Sequence, residues 1–364
     1  MIIWFAGGGT WWHIFPIASL IDFIKTDPKC NPKTDKIYRF GEKDGLEEKV
    51  SDDLIKKYDN IKFVSIISGK IRRKPDLKEF IKNTVDVFKF IWGVVQSIYY
   101  IKKYHIDVLF SKWGYISLPV SFACKLTHTR LIVHESDTNA GISTKLASKF
   151  AEKIYLGFEG AIKWWEFVGQ ILSDDLIKDI NEKYTNKENI KDNKTTVLIN
   201  CGSLGSKTIH QTILDILWTH LATNFDRKVI VGLINKNFEE KYMWFENVEV
   251  IWFADQKKMW NLYQLSDISI CRAGSTTLVE QKLFGIKQII LPIPRTHDQF
   301  KNADYFKLKY NDVVIDQNNK NYKEKIIDTL SKNIWFKKWN IDIEEIKEKI
   351  SIPKQKITYQ MLHI

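Results

Sequence analysis

The chain has 364 residues, 44% of them hydrophobic and 27% charged, with 55 Lys and Arg against 44 Asp and Glu. The length suggests two domains and the composition is ordinary for a globular protein, while the net charge of +11 favours an anionic partner such as nucleic acid, an anionic membrane surface or a phosphorylated substrate. The four cysteines, Cys30, Cys124, Cys201 and Cys271, form no CxxC pair and have no His cluster beside them, which excludes a zinc site or a disulfide framework and fits a reducing compartment.

In chain order, short β-rich runs alternate with amphipathic stretches, the pattern of parallel α/β units. The opening MIIWFAGGG lacks a basic n-region and reads as a strand running into a glycine loop, not as a signal peptide. Strands are predicted at 2–6, 37–40, 62–66, 107–110, 130–134 and 153–156, with helices at 14–24, 77–104 and 143–151 between them. The apolar run 90–101 is interrupted by Gln96 and Ser97 and falls short of the roughly 20 residues a membrane span needs. The Lys/Asn/Asp-rich passage 173–195 reads as a linker plus a surface helix. The grammar then restarts, with strands at 196–201, 228–233, 248–253, 267–271, 288–292 and 312–315 and a helix from Lys207. A helical tail from Asn340 is expected to cross back to the first domain. The predicted fold is α/β, with two Rossmann-like domains whose parallel sheets face each other across a cleft. Ligands in such sheets bind at the carboxyl ends of the strands.

Three segments carry chemistry. Gly7, Gly8 and Gly9 stand between a strand and a helix, where backbone N–H groups can approach an anion. His13 follows in the first helical turn, where a neutral imidazole could accept a proton; a tight structural turn is the alternative. In the second half, Cys271–Glu280 follows a strand and opens a helix. Gly274 and Ser275 can offer N–H groups, and Ser275, Thr276 and Thr277 hydroxyls, to a diphosphate. Glu280, one turn on, can accept both hydroxyls of a ribose; a Glu that merely complements the helix dipole is the alternative. After the next strand, Asp298 and Gln299 can bond sugar hydroxyls, or form a solvated helix start.

Seven blocks occur in one order: Ala6–Pro16 (AGGGTWWHIFP), Ser68–Arg73 (SGKIRR), Ser111–Val120 (SKWGYISLPV), His134–Gly141 (HESDTNAG), Gly202–Ser206 (GSLGS), Cys271–Glu280 (CRAGSTTLVE) and Thr296–Ala303 (THDQFKNA). Over nearly the whole chain this order resembles the MurG family, which transfers GlcNAc from UDP-GlcNAc to undecaprenyl-pyrophosphoryl-MurNAc-pentapeptide (lipid I), forming lipid II for peptidoglycan. The resemblance implies the inverting GT-B glycosyltransferase fold, with an acceptor and membrane-binding domain over 1–168, a UDP-GlcNAc-binding domain over 169–335 and a tail helix over 336–364. It implies catalytic roles for His13, Glu135 and Asp137. Donor contacts are implied at Thr10, Ser203, Arg272, Gly274, Ser275, Thr276, Thr277, Glu280, Asp298 and Gln299, and a backbone contact to uracil at Ala254. Acceptor and membrane contacts are implied at Gly8, Gly9, Lys70, Arg72 and Arg73. From local sequence alone, 135–137 could equally be a strand-end turn and 68–74 a solvated basic loop. No cofactor or protein-bound metal is required, because the helix start at Ser275–Thr277 can stabilise departing UDP, and no DxD-type metal motif ends a strand. No nucleic-acid motif is present. The implied location is the inner face of the cell membrane, held peripherally. The rival readings are a transferase for another lipid acceptor and a catalytically impaired nucleotide-sugar-binding homologue.

Departures from the family pattern involve tryptophan. Trp11, Trp12 and Trp113 occupy positions where the family carries glycine, and Trp164 and Trp165 stand where it often carries small residues. After Val168-Gly169, where the family usually shows a Pro and an Arg, Gln170-Ile171-Leu172-Ser173 has neither. The chain has 13 Trp and only 17 Gly, short of the usual glycine share of about 7%. Together the two approach their ordinary total. The expectation is that many of these tryptophans are glycine codons, UGA, read through the wrong genetic code.

Overall fold

The computed structural model describes the chain except residues 8–10, 42–45, 70–76, 113, 115, 161, 163, 187–194, 201–204, 218–226, 232–235, 253, 333–341 and 364. At 11–13, 46–47, 49, 77–83, 142, 183–186, 227–231 and 236–237 only the backbone is described. The chain divides into two compact units, Met1–Asp174 with Glu348–Ile364, and Asp175–Lys347.

The first unit runs β1 (Ile2–Ala6), α1 (Trp11–Thr26), β2 (Lys36–Gly41), α2 (Leu46–Lys57), β3 (Ile61–Ser65), α3 (Leu77–Tyr104), β4 (Val108–Ser111), α4 (Ser117–Thr127), β5 (Arg130–Glu135), α5 (Ile142–Ala147), β6 (Lys153–Leu156) and β7 (Glu166–Phe167). All seven strands are parallel, in the order β3-β2-β1-β4-β5-β6-β7. Alternation along β1 sends Ile3 and Phe5 into one buried cluster with Ile17, Leu20, Val108 and Phe110, and Trp4 and Ala6 into another with Tyr38, Phe40, Leu109 and Val120. A sheet covered by helices on both faces needs apolar residues at every strand position, and IIWFA supplies them.

The second unit runs α6 (Asp175–Asn186), β8 (Thr196–Asn200), α7 (Lys207–Ile216), β9 (Arg227–Val231), α8 (Lys236–Tyr242), β10 (Val248–Ile251), α9 (Gln256–Leu265), β11 (Ile268–Cys271), α10 (Ser275–Leu283), β12 (Lys287–Ile290), α11 (His297–Tyr310), β13 (Val313–Val314), α12 (Tyr322–Lys332) and the start of α13 (Ile343–Leu362). Its six strands are parallel in the order β10-β9-β8-β11-β12-β13. Val197, Ile199, Ile268, Ile270 and Ile289 form its core with Ile209 and Ile213 of α7. Both orders are the Rossmann arrangement, which reverses direction at one place: between β1 and β4, and between β8 and β11.

Three findings adjust the sequence reading. The first unit extends to Asp174, because Val168 and Ile171 sit in its core and the Leu172 carbonyl accepts the Ser19 hydroxyl at 2.7 Å. Within 173–195 the expected surface helix is Asp175–Asn186, anchored by fully buried Leu176 and Ile180. The predicted helix 143–151 ends at Ala147, after which 148–150 form a turn. Among the described residues, the helices Leu46–Lys57, Ser117–Thr127, Lys236–Tyr242, Gln256–Leu265 and Tyr322–Lys332 add to those the sequence pattern predicts. In α13, Glu348–Ile364 belongs to the first unit, placing Ile357, Met361 and Leu362 in that unit's core.

Candidate active site

Each unit's strand reversal brings together loops that carry motif residues. In the second unit β11 leads into Arg272-Ala273-Gly274 and then α10. No side chain caps the helix start, where Gly274 is the N-cap residue. Its first N–H groups are therefore available to an anion, which the helix dipole favours. Ser275, Thr276 and Thr277 are all buried there. Gly274 has an ordinary backbone conformation, and a Cβ on it would meet only the Thr277 hydroxyl at 3.8 Å. The protein's own packing does not require glycine; the open space in front of the backbone does the work of letting a ligand approach.

Arg272 reaches away from that helix start. Nη1 donates to the carbonyls of Leu291 (2.9 Å) and Pro292 (3.2 Å) and to Gln317 Oε1, and Nη2 donates to Ser206 Oγ at 2.9 Å. Ser206 also caps α7 by accepting from the Ile209 N–H. One planar guanidinium thus ties the loops after β8, β12 and β13 to the end of β11, so these hydrogen bonds give Arg272 a positioning role within the protein. Asn302, which the sequence reading passed over, donates from Nδ2 to the Ala273 carbonyl at 3.1 Å and is fully buried.

Glu280 is buried on α10. Desolvation lifts its pKa from the ordinary carboxylate range to about 7, with hydrogen bonds from Trp260 and Gln256 pulling it back. The Trp260 Nε1 contact is long, at 3.5 Å. A carboxylate this dry and this weakly bonded has acceptor capacity left for two hydroxyls. Ala254 is half-buried just before Asp255, the N-cap of α9. Asp298 and Gln299 begin α11; Asp298 is exposed, and Gln299 Oε1 accepts the Ile293 N–H at 3.0 Å. Arg295 just before them holds a φ of 65°, in the left-handed region. Ser203 lies outside the described residues.

In the first unit the end of β5 is the chemically dense place. Lys112, immediately after β4, is buried and donates to His134 Nδ1 at 2.6 Å and to Ser136 Oγ. His134 Nε2 donates to the Gly169 carbonyl at 2.9 Å, so Nδ1 carries the lone pair that receives the ammonium. Burial and the Lys112 charge hold His134 well below its usual pKa, keeping it neutral. Glu135 Oε1 accepts the Asp137 N–H at 3.0 Å. Its Oε2 is buried and unbonded; Thr144 Oγ1 lies near enough to act on the charge but is itself unbonded. Desolvation, then the Asp137 carboxylate, raise Glu135 to about 7. Gln170 is buried and donates to the Ser136 carbonyl at 2.7 Å. Gly169 before it has a φ of 99°, which requires glycine.

His13 is the third residue of α1, in its first turn; its side chain, and those of Trp11 and Trp12, lie outside the described residues, as do Gly8, Gly9, Thr10, Lys70, Arg72, Arg73 and Trp113. Trp164 has a φ of 86° and is 90% exposed, a backbone state that glycine adopts freely and an indole residue rarely does. Trp165 is half-buried. Among the described residues, no group of three His, Cys, Asp or Glu is placed to hold a metal ion.

Two Rossmann-type domains with parallel sheets place the chain in the GT-B fold class. The chain belongs to glycosyltransferase family 28: the family's N-terminal domain matches residues 3–156 and its C-terminal domain residues 196–354. It is 31% identical, over 87% of this chain and 84% of the relative, to the UDP-N-acetylglucosamine–N-acetylmuramyl-(pentapeptide) pyrophosphoryl-undecaprenol N-acetylglucosamine transferase of Borreliella afzelii. It is 30% identical to the enzyme of that name from Staphylococcus haemolyticus, over 84% of this chain and 83% of the relative. The crystal structure of Acinetobacter baumannii MurG superposes with a TM-score of 0.71 at 18% identity, covering 100% of this chain and 99% of that one. The UDP-GlcNAc 2-epimerase of Neisseria meningitidis, at 0.66 and 15% with full coverage of both chains, shares the fold as well, so the fold by itself does not choose the reaction.

Proposed function

We infer that this chain transfers GlcNAc from UDP-GlcNAc to lipid I, releasing UDP and forming lipid II. The relatives that carry that name match over most of both chains, and the uncapped start of α10 beside the dry Glu280 is the observation that carries the donor half. In the reaction the C4 hydroxyl of the acceptor sugar attacks the anomeric carbon in line and inverts it. The C1–O bond to UDP breaks, and the electron pair leaves on the diphosphate. The N–H groups at Ser275–Thr277 take up that developing charge. Glu280 receives the ribose hydroxyls, and Asp298 and Gln299 read the GlcNAc hydroxyls. The hydroxyl proton goes to His13 as general base, with Glu135 and Asp137 on the acceptor side.

The acceptor is lipid-linked, and α3 offers a surface suited to a bilayer. Phe88, Ile91, Trp92, Val95 and Tyr99 recur at helical spacing and are all exposed, with Leu126 of α4 also exposed. Lys89, Lys102 and Lys103 lie on the same helix, exposed. An apolar stripe with cations beside it suits shallow insertion at an anionic surface, each Lys adding about 1 kcal/mol. No helix among the described residues is long and apolar enough to cross a membrane, so this face proposes a peripheral attachment.

Turnover of UDP-GlcNAc with lipid I tests the reading, using the chain beside variants with glycine at 11, 12 and 113 and a His13→Ala variant made in the glycine background. Lipid II should form, and loss of His13 should lower kcat by roughly 10²–10⁴ with little change in donor KM. Release of UDP with no lipid I consumed would sink it.

A further inference from the structure

Lys112 poses a physical problem that the donor and acceptor assignments leave unsolved. Burying an ammonium group costs several kcal/mol unless a carboxylate pairs with it. Lys112 is 1% exposed, yet its hydrogen-bond partners are neutral, an imidazole nitrogen and a serine hydroxyl. Methionine would fill the same space at no electrostatic cost. The carboxylates of Glu135 and Asp137 act on the ammonium through space, and burial still brings its pKa down to about 7. They are the charged groups that act on it among the described residues; the 169–170 segment brings only the Gly169 carbonyl and the Gln170 amide. A cation held beside a carboxylate without neutralising it by contact is an arrangement that tunes that carboxylate.

We propose that Lys112 is a positioning residue of the acceptor-side centre: by bonding His134 Nδ1 and Ser136 Oγ it fixes the 134–137 turn, and its charge favours the ionised form of Glu135 against the burial that disfavours it. Three bonds lock the turn from different sides, Lys112 to Ser136, Gln170 to the Ser136 carbonyl, and the Asp137 N–H to Glu135. The neutral His134 serves as the relay between Lys112 and the Gly169 carbonyl, and that hydrogen bond requires its Nδ1 to remain unprotonated. Glu135 Oε2 is buried beside the Thr144 hydroxyl and takes no hydrogen bond from the turn itself. The inference rests on the transferase reading only for its kinetic arm.

The test is Lys112→Met, assayed as kcat/KM for lipid I against pH. Without the ammonium Glu135 holds its proton to higher pH, so the acid limb should move up by about one unit, and the rate at pH 7 should fall about fivefold. Donor KM should not change. Ser136→Ala, which keeps the charge, should slow turnover without moving the limb. An unmoved limb in a folded Lys112→Met protein overturns the proposal. Should that variant not fold, ¹³C NMR titration of the parent decides: Lys112 and Glu135 should titrate together near neutrality, and independent titration at ordinary values overturns it. If the parent makes no lipid II, the transferase reading falls, while the NMR titration still decides the coupling.

Discussion

Glu280 shows how one side chain can be costly to the empty protein and useful to the loaded one. Its native pKa of about 7 lies above the ordinary 4.5. Between those values the native state holds a proton that the unfolded chain has released, so stability falls as pH rises from about 4.5 to about 7 and then levels. Glu280→Gln should therefore raise the melting temperature at pH 8, by on the order of 1–3 kcal/mol of stability. The same change should weaken UDP-GlcNAc binding at least tenfold, since hydrogen bonds to a charged group are worth about 1.5–3 kcal/mol. In the parent, donor affinity should fall as pH drops through about 7, and in the variant it should not. Calorimetry across pH 5–8 reads both, and equal affinity in parent and variant would remove Glu280 from the site. Trp164 is the second residue of this kind. Its φ of 86° costs a residue with a Cβ about 1–2 kcal/mol, and its 90% exposed ring recovers little by burial. Trp164→Gly should stabilise the protein by about 1 kcal/mol. If position 164 is a glycine codon, peptide masses from the native organism will show glycine there; indole masses would refute that decoding.

At the scale of elements, α3 is the most legible piece of the chain and also the one with a divided role. The helix was predicted at its observed bounds, Leu77–Tyr104, because apolar residues recur there at 3.6-residue spacing with no proline. Periodicity could not say which apolar stripe faces the protein. The structure buries Ser97 and Ile101 and leaves Phe88 and Trp92 outside. Phe88→Glu with Trp92→Glu should reduce binding to anionic vesicles at least tenfold in sedimentation, leaving UDP-GlcNAc affinity and the melting temperature unchanged. Equal vesicle binding would move the membrane face elsewhere. The strand-end loops were legible for a different reason: glycine and hydroxyl residues between an apolar run and a helix mark anion sites wherever the fold places them. The contacts Arg272 makes inside the protein were not legible. Its motif implied a nucleotide contact, while the guanidinium holds Ser206, Leu291, Pro292 and Gln317, residues that only the folded sheet brings near it.

At the scale of the whole molecule, α13 begins in one unit and finishes in the other. Ile357, Met361 and Leu362 fill the first unit's core, and Arg130 donates to the carbonyls of Gln360 and Met361. Each fully buried side chain of that size contributes about 1.5–3 kcal/mol. Deleting Glu348–Ile364 should therefore destabilise the first unit by several kcal/mol, seen as an early thermal transition, while the second unit keeps its own. An unchanged unfolding curve would show that the tail is not part of that core.

The sequence by itself determined the parallel α/β class, the two restarts of strand, glycine turn and helix, and the order of motif blocks that places the chain in its family. Those are local properties, set by side-chain period and by the few residues able to turn or receive an anion. The tertiary structure decided where the first unit ends, since Val168 and Ile171 are core only because β1, β4 and β5 surround them. It decided that Arg272 ties loops together and that Glu280 is dry. It also decided that Lys112 meets His134 and Ser136, contacts 22 and 24 residues apart in the chain. Burial and charge coupling depend on every element packed around a group, and no spacing along the chain encodes them.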